Sequence, residues 1–280
     1  MGLSLSAWLY SRGADRTPSS SSVFALLAVP TSSRLMVVLN SFPVSPDNRS
    51  YWSSVHHSPH FTLSACKQEA TRSPVELSSD GVRAEVGVRS GLHVWEVLWN
   101  PTHRGSHAVI GVSMKDCPLQ ASGYNVLVGR DSQSWGWELK TNGLWHGGHS
   151  LGLYPDFRSQ SSAHILTDSK VIETPLLIPE RILLVLDADA GTLGFIIDDS
   201  FLGVAFKDLP LGVELFPVVS SVRGEASIRL RYLNGTTRHP PTLMALCGVS
   251  IRQFLGKRRQ NQTDKLPLPS FLKHYLLSSP

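Results

Sequence analysis

Between Val82 and Tyr232 the chain falls into short runs, alternating or solidly apolar, with turn residues about every eight to twelve positions. That cadence leaves no place for a helix of useful length and commits the middle of the chain to strands. His93-Val94-Trp95-Glu96-Val97-Leu98-Trp99 is an aromatic-rich strand. Residues 108–112 and 134–139 are two more, and Thr141-Asn142-Gly143 reads as a hairpin turn. Residues 182–186 are apolar throughout, which predicts a strand buried on both faces. Asp187 to Gly191 and Asp198-Asp199-Ser200 are turns on either side of a strand at 192–197. Strands at 201–206, 215–219 and 227–232 bring the set to about ten. The expected fold is all-β, a sandwich of two antiparallel sheets. Trp52 and residues 61–63 read as its first packed positions, whereas 34–39 fits a short helix or a strand equally well.

The pattern changes after Tyr232. Pro240 and Pro241 suit a helix start, where a missing N–H costs nothing. Leu243, Leu246, Cys247, Ile251, Phe254 and Leu255 then recur at spacings of three and four, which places them on one helical face. Gly256 can end that helix, and Lys257, Arg258 and Arg259 suit the negative end of its dipole. Leu266-Pro267-Leu268-Pro269 cannot be helical and should run extended. Ser270 can cap a last short helix carrying Phe271, Leu272, Tyr275 and Leu276.

Three cysteines, Cys66, Cys117 and Cys247, are odd in number and widely spaced. They fit reduced thiols in the cytosol or nucleus better than a disulfide framework. The net charge is +4, and the one basic cluster, 252–259, fits a solvated helix end better than a nucleic-acid surface. No apolar run reaches the roughly 20 residues of a membrane span. The expected location is cytoplasmic. Residues 1–31 are expected to be unstructured, since the apolar patch 23–29 lies late and lacks the basic flank of a signal peptide.

Catalysis finds little support. There is no His-Glu-x-x-His, no phosphate-cradling glycine loop and no paired-cysteine zinc spacing. Asp187-Ala188-Asp189-Ala190-Gly191 lacks the third acidic position and the distal glutamate of a calcium loop. The histidines at 56, 57 and 60, and at 146 and 149, have no cysteine or carboxylate at ligand spacing. No cofactor, metal or enzymatic activity is expected.

Gly91-x-His93-x-Trp95-Glu96, Ser134-Trp135-Gly136, Leu186-Asp187-x-x-x-Gly191-Thr192-Leu193-x-Phe195 and Leu215-Phe216-Pro217-Val218-Val219 together resemble a SPRY (B30.2-like) domain over about residues 62–233. Thr242-Leu243-x-x-x-Cys247-x-x-x-Ile251 is similar to the elongin-binding box of SOCS-box proteins. Leu266-Pro267-Leu268-Pro269-x-x-Leu272-x-x-Tyr275-Leu276-Leu277 is similar to their cullin-selecting box. The arrangement resembles the SPRY domain-containing SOCS box family. It implies a SPRY domain at 32–233 with an N-terminal extension, and a SOCS box at 239–280. It further implies a non-catalytic adaptor that brings target proteins to elongin C, elongin B and a cullin-5 RING ubiquitin ligase for ubiquitination and proteasomal degradation. Leu243, Leu246, Cys247 and Ile251 would meet elongin C; Leu266, Pro267, Leu268, Pro269 and Leu272 would meet the cullin. The polar segment 158–174 is longer than the family leads one to expect and reads as a surface insertion.

The related adaptors capture an extended peptide, an acidic residue then Leu or Ile then three asparagines, in a shallow pocket built from loops. By resemblance that pocket uses Arg72, Pro74, Val75, Ser106, Tyr124, Val222, Arg223 and Gly224 here. Two positions depart from the family. Arg223 stands where it has a tryptophan, and Glu76 where it has a small residue. The exchange removes apolar wall and adds charge, and Glu76 and Arg223 can pair with each other or shift the peptide preference. The alternative function is a SPRY-type binding scaffold whose C-terminal helices pack only on their own chain.

Overall fold

The computed structural model describes residues 23–41, 43–155, 175–236, 242–255 and 262–277. Two short helices come first, α1 (Val23–Leu26) and α2 (Ser33–Asn40). The strands are β1 (Trp52–His57), β2 (Phe61–Leu63), β3 (Glu69–Arg72), β4 (Ser78–Ala84), β5 (Leu92–Trp99), β6 (Val109–Ser113), β7 (Gln120–Ser122) and β8 (Ser134–Glu138). They continue as β9 (Gly143–His146), β10 (His149–Leu153), β11 (Arg181–Asp187), β12 (Thr192–Ile197), β13 (Ser200–Phe206), β14 (Phe216–Ser221) and β15 (Ser227–Thr236). Helices α3 (Leu243–Leu255) and α4 (Ser270–Leu277) follow. The first sheet runs β1-β4-β14-β6-β8-β9-β10 with β7 paired to β4, and the second runs β13-β12-β11-β5-β15-β3-β2. All strand pairs are antiparallel.

The alternation within β5 and β11 explains why both read as apolar. Trp95, Val97 and Trp99, with Ile182, Leu184 and Leu186, enter the core between the sheets. Leu92, Val94, Leu183 and Val185 point the other way, into an apolar patch covered by Leu35 and Val38 of α2. Burial on both faces is thus borne out, with a helix as the second cover. The 34–39 segment is a helix, capped by Ser32, whose Oγ accepts from Leu35 N. Asn142 takes φ +60° in the β8–β9 hairpin, and Asp198 and Asp199 take φ +48° and +60° between β12 and β13. Asn and Asp tolerate this left-handed region better than other side chains.

Several expectations need correction. The strands number fifteen among the described residues, because short strands such as β2, β3 and β7 carry too few residues to show a period. The segment at 1–31 is not wholly unstructured. Phe24 and Leu27 are buried in the core cluster, α1 lies against β13, and Val29 N donates to the Phe201 carbonyl at 2.8 Å. That apolar patch is a sheet-edge cover. Leu-Pro-Leu-Pro bends where an extended run was expected, with Leu268 N donating to the Leu266 carbonyl at 2.8 Å. Ser270 is the first helical residue, and the Pro269 carbonyl accepts from Leu272 and Lys273. Pro240, Pro241, the Gly256–Arg259 helix stop and the 158–174 segment lie outside the described residues. Among the described residues no helix is long and apolar enough to cross a membrane, and no group of His, Cys, Asp and Glu could hold a metal ion.

Candidate functional site

Three loops meet at one end of the sandwich. The first joins β3 to β4 and carries Pro74, Val75 and Glu76. The second follows β14 and carries Val222, Arg223 and Gly224. The third precedes β6 and carries Gly105 and Ser106. Their closeness shows at two glycines. A Cβ on Gly224 would lie 2.7 Å from Pro74 Cα, so the two loops touch backbone to backbone. A Cβ on Gly105 would lie 2.8 Å from Arg223 Cβ, and Gly105 also takes φ +70°. Tyr124 joins through the β7–β8 connection: Gly123 N donates to the Leu77 carbonyl at 2.7 Å, and Asn125 N to Ser79 Oγ at 2.8 Å. Tyr124 is left 46% exposed at this tip.

The sequence-derived residues divide into two kinds. Pro74, Tyr124 and Arg223 are exposed, Val75, Ser106 and Gly224 are half-buried, and Val222 is buried in the wall beneath. Arg72 is different, because its side chain is wholly withdrawn from solvent. Its Nε donates to Asp80 Oδ2 at 2.8 Å, and its Nη atoms donate to the carbonyls of Ser73, Val75 and Ser78. The guanidinium therefore ties the loop down from below. Asp80, also fully buried, accepts from Ser58 Oγ at 2.6 Å and Ser78 Oγ at 3.0 Å and lies 2.9 Å from His60 Nδ1. Burial alone would raise its carboxyl, but those hydrogen bonds and the Arg72 charge hold it below the usual carboxylate range.

A second buried arginine was missed as a support by the sequence reading. Arg104 donates to the carbonyls of Ile178 at 2.6 Å, Trp99 at 2.7 Å and Pro179 at 2.6 Å, and so fixes the base of the Gly105–Ser106 loop. Burial pushes its pKa down to about 10, opposed by Glu180. Leu77 was missed as well. It takes φ +50° and leaves its side chain 68% exposed beside the Tyr124 tip. A left-handed leucine is strained, and nothing in its residue type announces it. Glu76 and Arg223 form no ion pair with each other.

The C-terminal helices build a second surface. Thr242 caps α3: its Oγ1 accepts from Ala245 N at 3.1 Å and its carbonyl from Leu246 N at 3.0 Å. Gly248, Val249 and Arg252 are buried on one face. A Cβ on Gly248 would lie 3.3 Å from the Tyr275 ring, and Arg252 Nη1 donates to the Leu276 carbonyl at 3.1 Å, so α4 lies against that side. The other face is open. Leu243 is 77% and Phe254 84% exposed, and Met244, Leu246 and Cys247 are exposed with them. Ile251 is half-buried. In the bend before α4, Leu266 and Leu268 are half-buried, Pro267 and Pro269 exposed, and Leu272 is half-buried at the start of α4.

The SPRY domain family model matches residues 92–233, and the SOCS box model matches residues 239–277. SPRY domain-containing SOCS box protein 1 of Bos taurus is 45% identical over 208 residues, covering 74% of this chain and 71% of that protein. Protein gustavus of Drosophila melanogaster is 38% identical over 250 residues, covering 87% and 85%. SPRY domain-containing SOCS box protein 2 of Rattus norvegicus is 35% identical over 268 residues, covering 95% and 97%. With its two-sheet sandwich followed by a pair of packed helices, the chain belongs to the SPRY domain-containing SOCS box protein family.

Proposed function

We propose that this chain is a non-catalytic substrate adaptor of an elongin B/C–cullin-5 RING ubiquitin ligase. The loops around Tyr124 and Arg223 hold a target, and α3 and the bend before α4 recruit the transfer machinery. The target is then ubiquitinated because it is held near the charged enzyme and is passed to the proteasome. The observation that carries this reading is the open face of α3, where Leu243, Met244, Leu246 and Phe254 stay in solvent while the opposite face is packed. An apolar stripe of this kind is what helix-in-groove recognition requires, and each leucine buried there contributes about 1.5–3 kcal/mol. The scaffold alternative, with the helices packing only on their own chain, leaves that stripe unexplained.

At the recognition end, Pro74, Val75, Ser106, Tyr124, Val222, Arg223 and Gly224 form the peptide surface, and Arg72 acts from beneath by fixing the loop. The peptide keeps the acidic-Leu/Ile-Asn-Asn-Asn form, with a preference altered by Arg223. A reconstituted assay tests the whole reading. A reporter carrying that peptide should be ubiquitinated when the chain, elongins B and C and the cullin–RING module are all present. Equal ubiquitination without the chain would contradict it.

A further inference from the structure

Helix α2 lies on the outer face of the second sheet and packs against α3. Leu35 and Val38 enter the apolar patch on the outer side of the second sheet. Arg34, in its first turn, reaches the ends of two strands. Nη1 lies 3.3 Å from Asp187 at the end of β11, Nη2 lies 2.8 Å from Asp189 in the turn that follows, and Nη2 donates to the carbonyl of Thr236, the last residue of β15. Val37, on another face, is also buried but outside that patch. Helix α2 packs against α3, and Gln253 of α3 faces Met36 and Asn40 across a cavity of about 540 Å³. Among the described residues, α3 packs chiefly on α2 and α4, and no strand meets it to a comparable extent.

We propose that α2 is a splint that sets the angle between the sandwich and the C-terminal helix pair. Units joined by a small interface move relative to one another by default, and α2 supplies a shared element that grips both. Sheet burial and the Arg34 ion pairs fix α2 to the sandwich, and the side carrying Met36 and Asn40, which share a cavity with Gln253, meets α3. If the adaptor reading holds, a target captured at the loops is thereby presented at a set distance from the recruited ligase.

The native thiols allow a direct test. Cys66, on the sandwich, and Cys247, on α3, are free and exposed, whereas Cys117 is buried. Spin labels on Cys66 and Cys247 of the isolated full chain report the separation of the two units by pulsed electron spin resonance. The wild-type chain should give one narrow distance population. Arg34→Glu sets a carboxylate against Asp187 and Asp189, and Val37→Arg places a charge on a buried side of α2 outside the sheet patch while leaving Leu35 and Val38 in it. Each should broaden the distribution into several populations with the melting of the sandwich retained. If Val37→Arg fails to fold, Arg34→Glu decides alone. A narrow population, unchanged in the variants that fold, overturns the proposal. Elongin binding is read separately on unlabelled protein, so its failure bears on the adaptor reading and not on the splint.

Discussion

Arg72 Nε donates to Asp80 Oδ2 across 2.8 Å, with neither side chain reaching solvent. Removing one member of a buried, hydrogen-bonded ion pair leaves the other charge uncompensated. Arg72→Ala is therefore expected to lower unfolding free energy by about 3–5 kcal/mol in urea titrations, and to weaken peptide binding with it. A loss below about 1 kcal/mol would place the pair with exposed ion pairs and remove its role as a loop support.

The same pair sets an acid limit. The Asp80 carboxyl is held below its usual range in the folded chain. Its contribution is therefore fully present above the unfolded value of about 3.9 and is lost as pH falls through the lower, folded value. Asp80→Asn should be less stable than wild type at neutral pH, and the gap should close only as pH drops below about 4. Urea melts of both proteins across that window read the difference. A gap that already closes between pH 7 and 5 would assign the dependence to another group.

The proposed function has Tyr124 supply affinity and Arg223 set preference at the loop surface. Tyr124→Ala should weaken binding of an acidic-Leu-Asn-Asn-Asn peptide by about 2 kcal/mol, close to thirty-fold, as expected for an aromatic hot spot. Arg223→Trp restores the apolar wall of the family and should tighten the same peptide. Calorimetry with both variants checks this. Unchanged affinity in both would remove the three-loop surface from target binding.

The proposed function assigns the cullin to the bend before α4 and the elongins to the open face of α3, so variants should separate the two. Replacing Leu266, Pro267 and Leu268 by alanine should abolish co-purification with cullin-5 while elongins B and C remain bound. The reverse outcome, loss of the elongins with cullin retained, would reassign the two boxes.

Much of this architecture is legible in the residues. The central strands follow from alternation, and β11 announces burial on both faces through an unbroken Ile-Leu-Leu-Val-Leu run. The stripe at Leu243, Leu246 and Cys247 is readable as one face of a helix, although periodicity alone cannot say whether that face is packed or open. What stays hidden is long-range. Arg72 reads as a ligand contact, and only its distance to Asp80 and to three carbonyls turns it into a support. Arg104 gives no signal apart from its neighbouring glycine. Residues 34–39 are too few to separate a helical from a strand period, so the splint is invisible until Leu35 and Val38 are seen on the second sheet.

The proposed function turns on recruitment of the elongins by the open face of α3. The most direct measurement is a calorimetric titration of the full chain with the elongin B/C complex, comparing wild type with Leu243→Asp. Leu243 is exposed in the free chain, so this change should leave the melting of the sandwich unaltered. The wild-type chain should bind with submicromolar affinity and Leu243→Asp not at all. Equal binding by the two proteins, or no binding by the wild type, would contradict it.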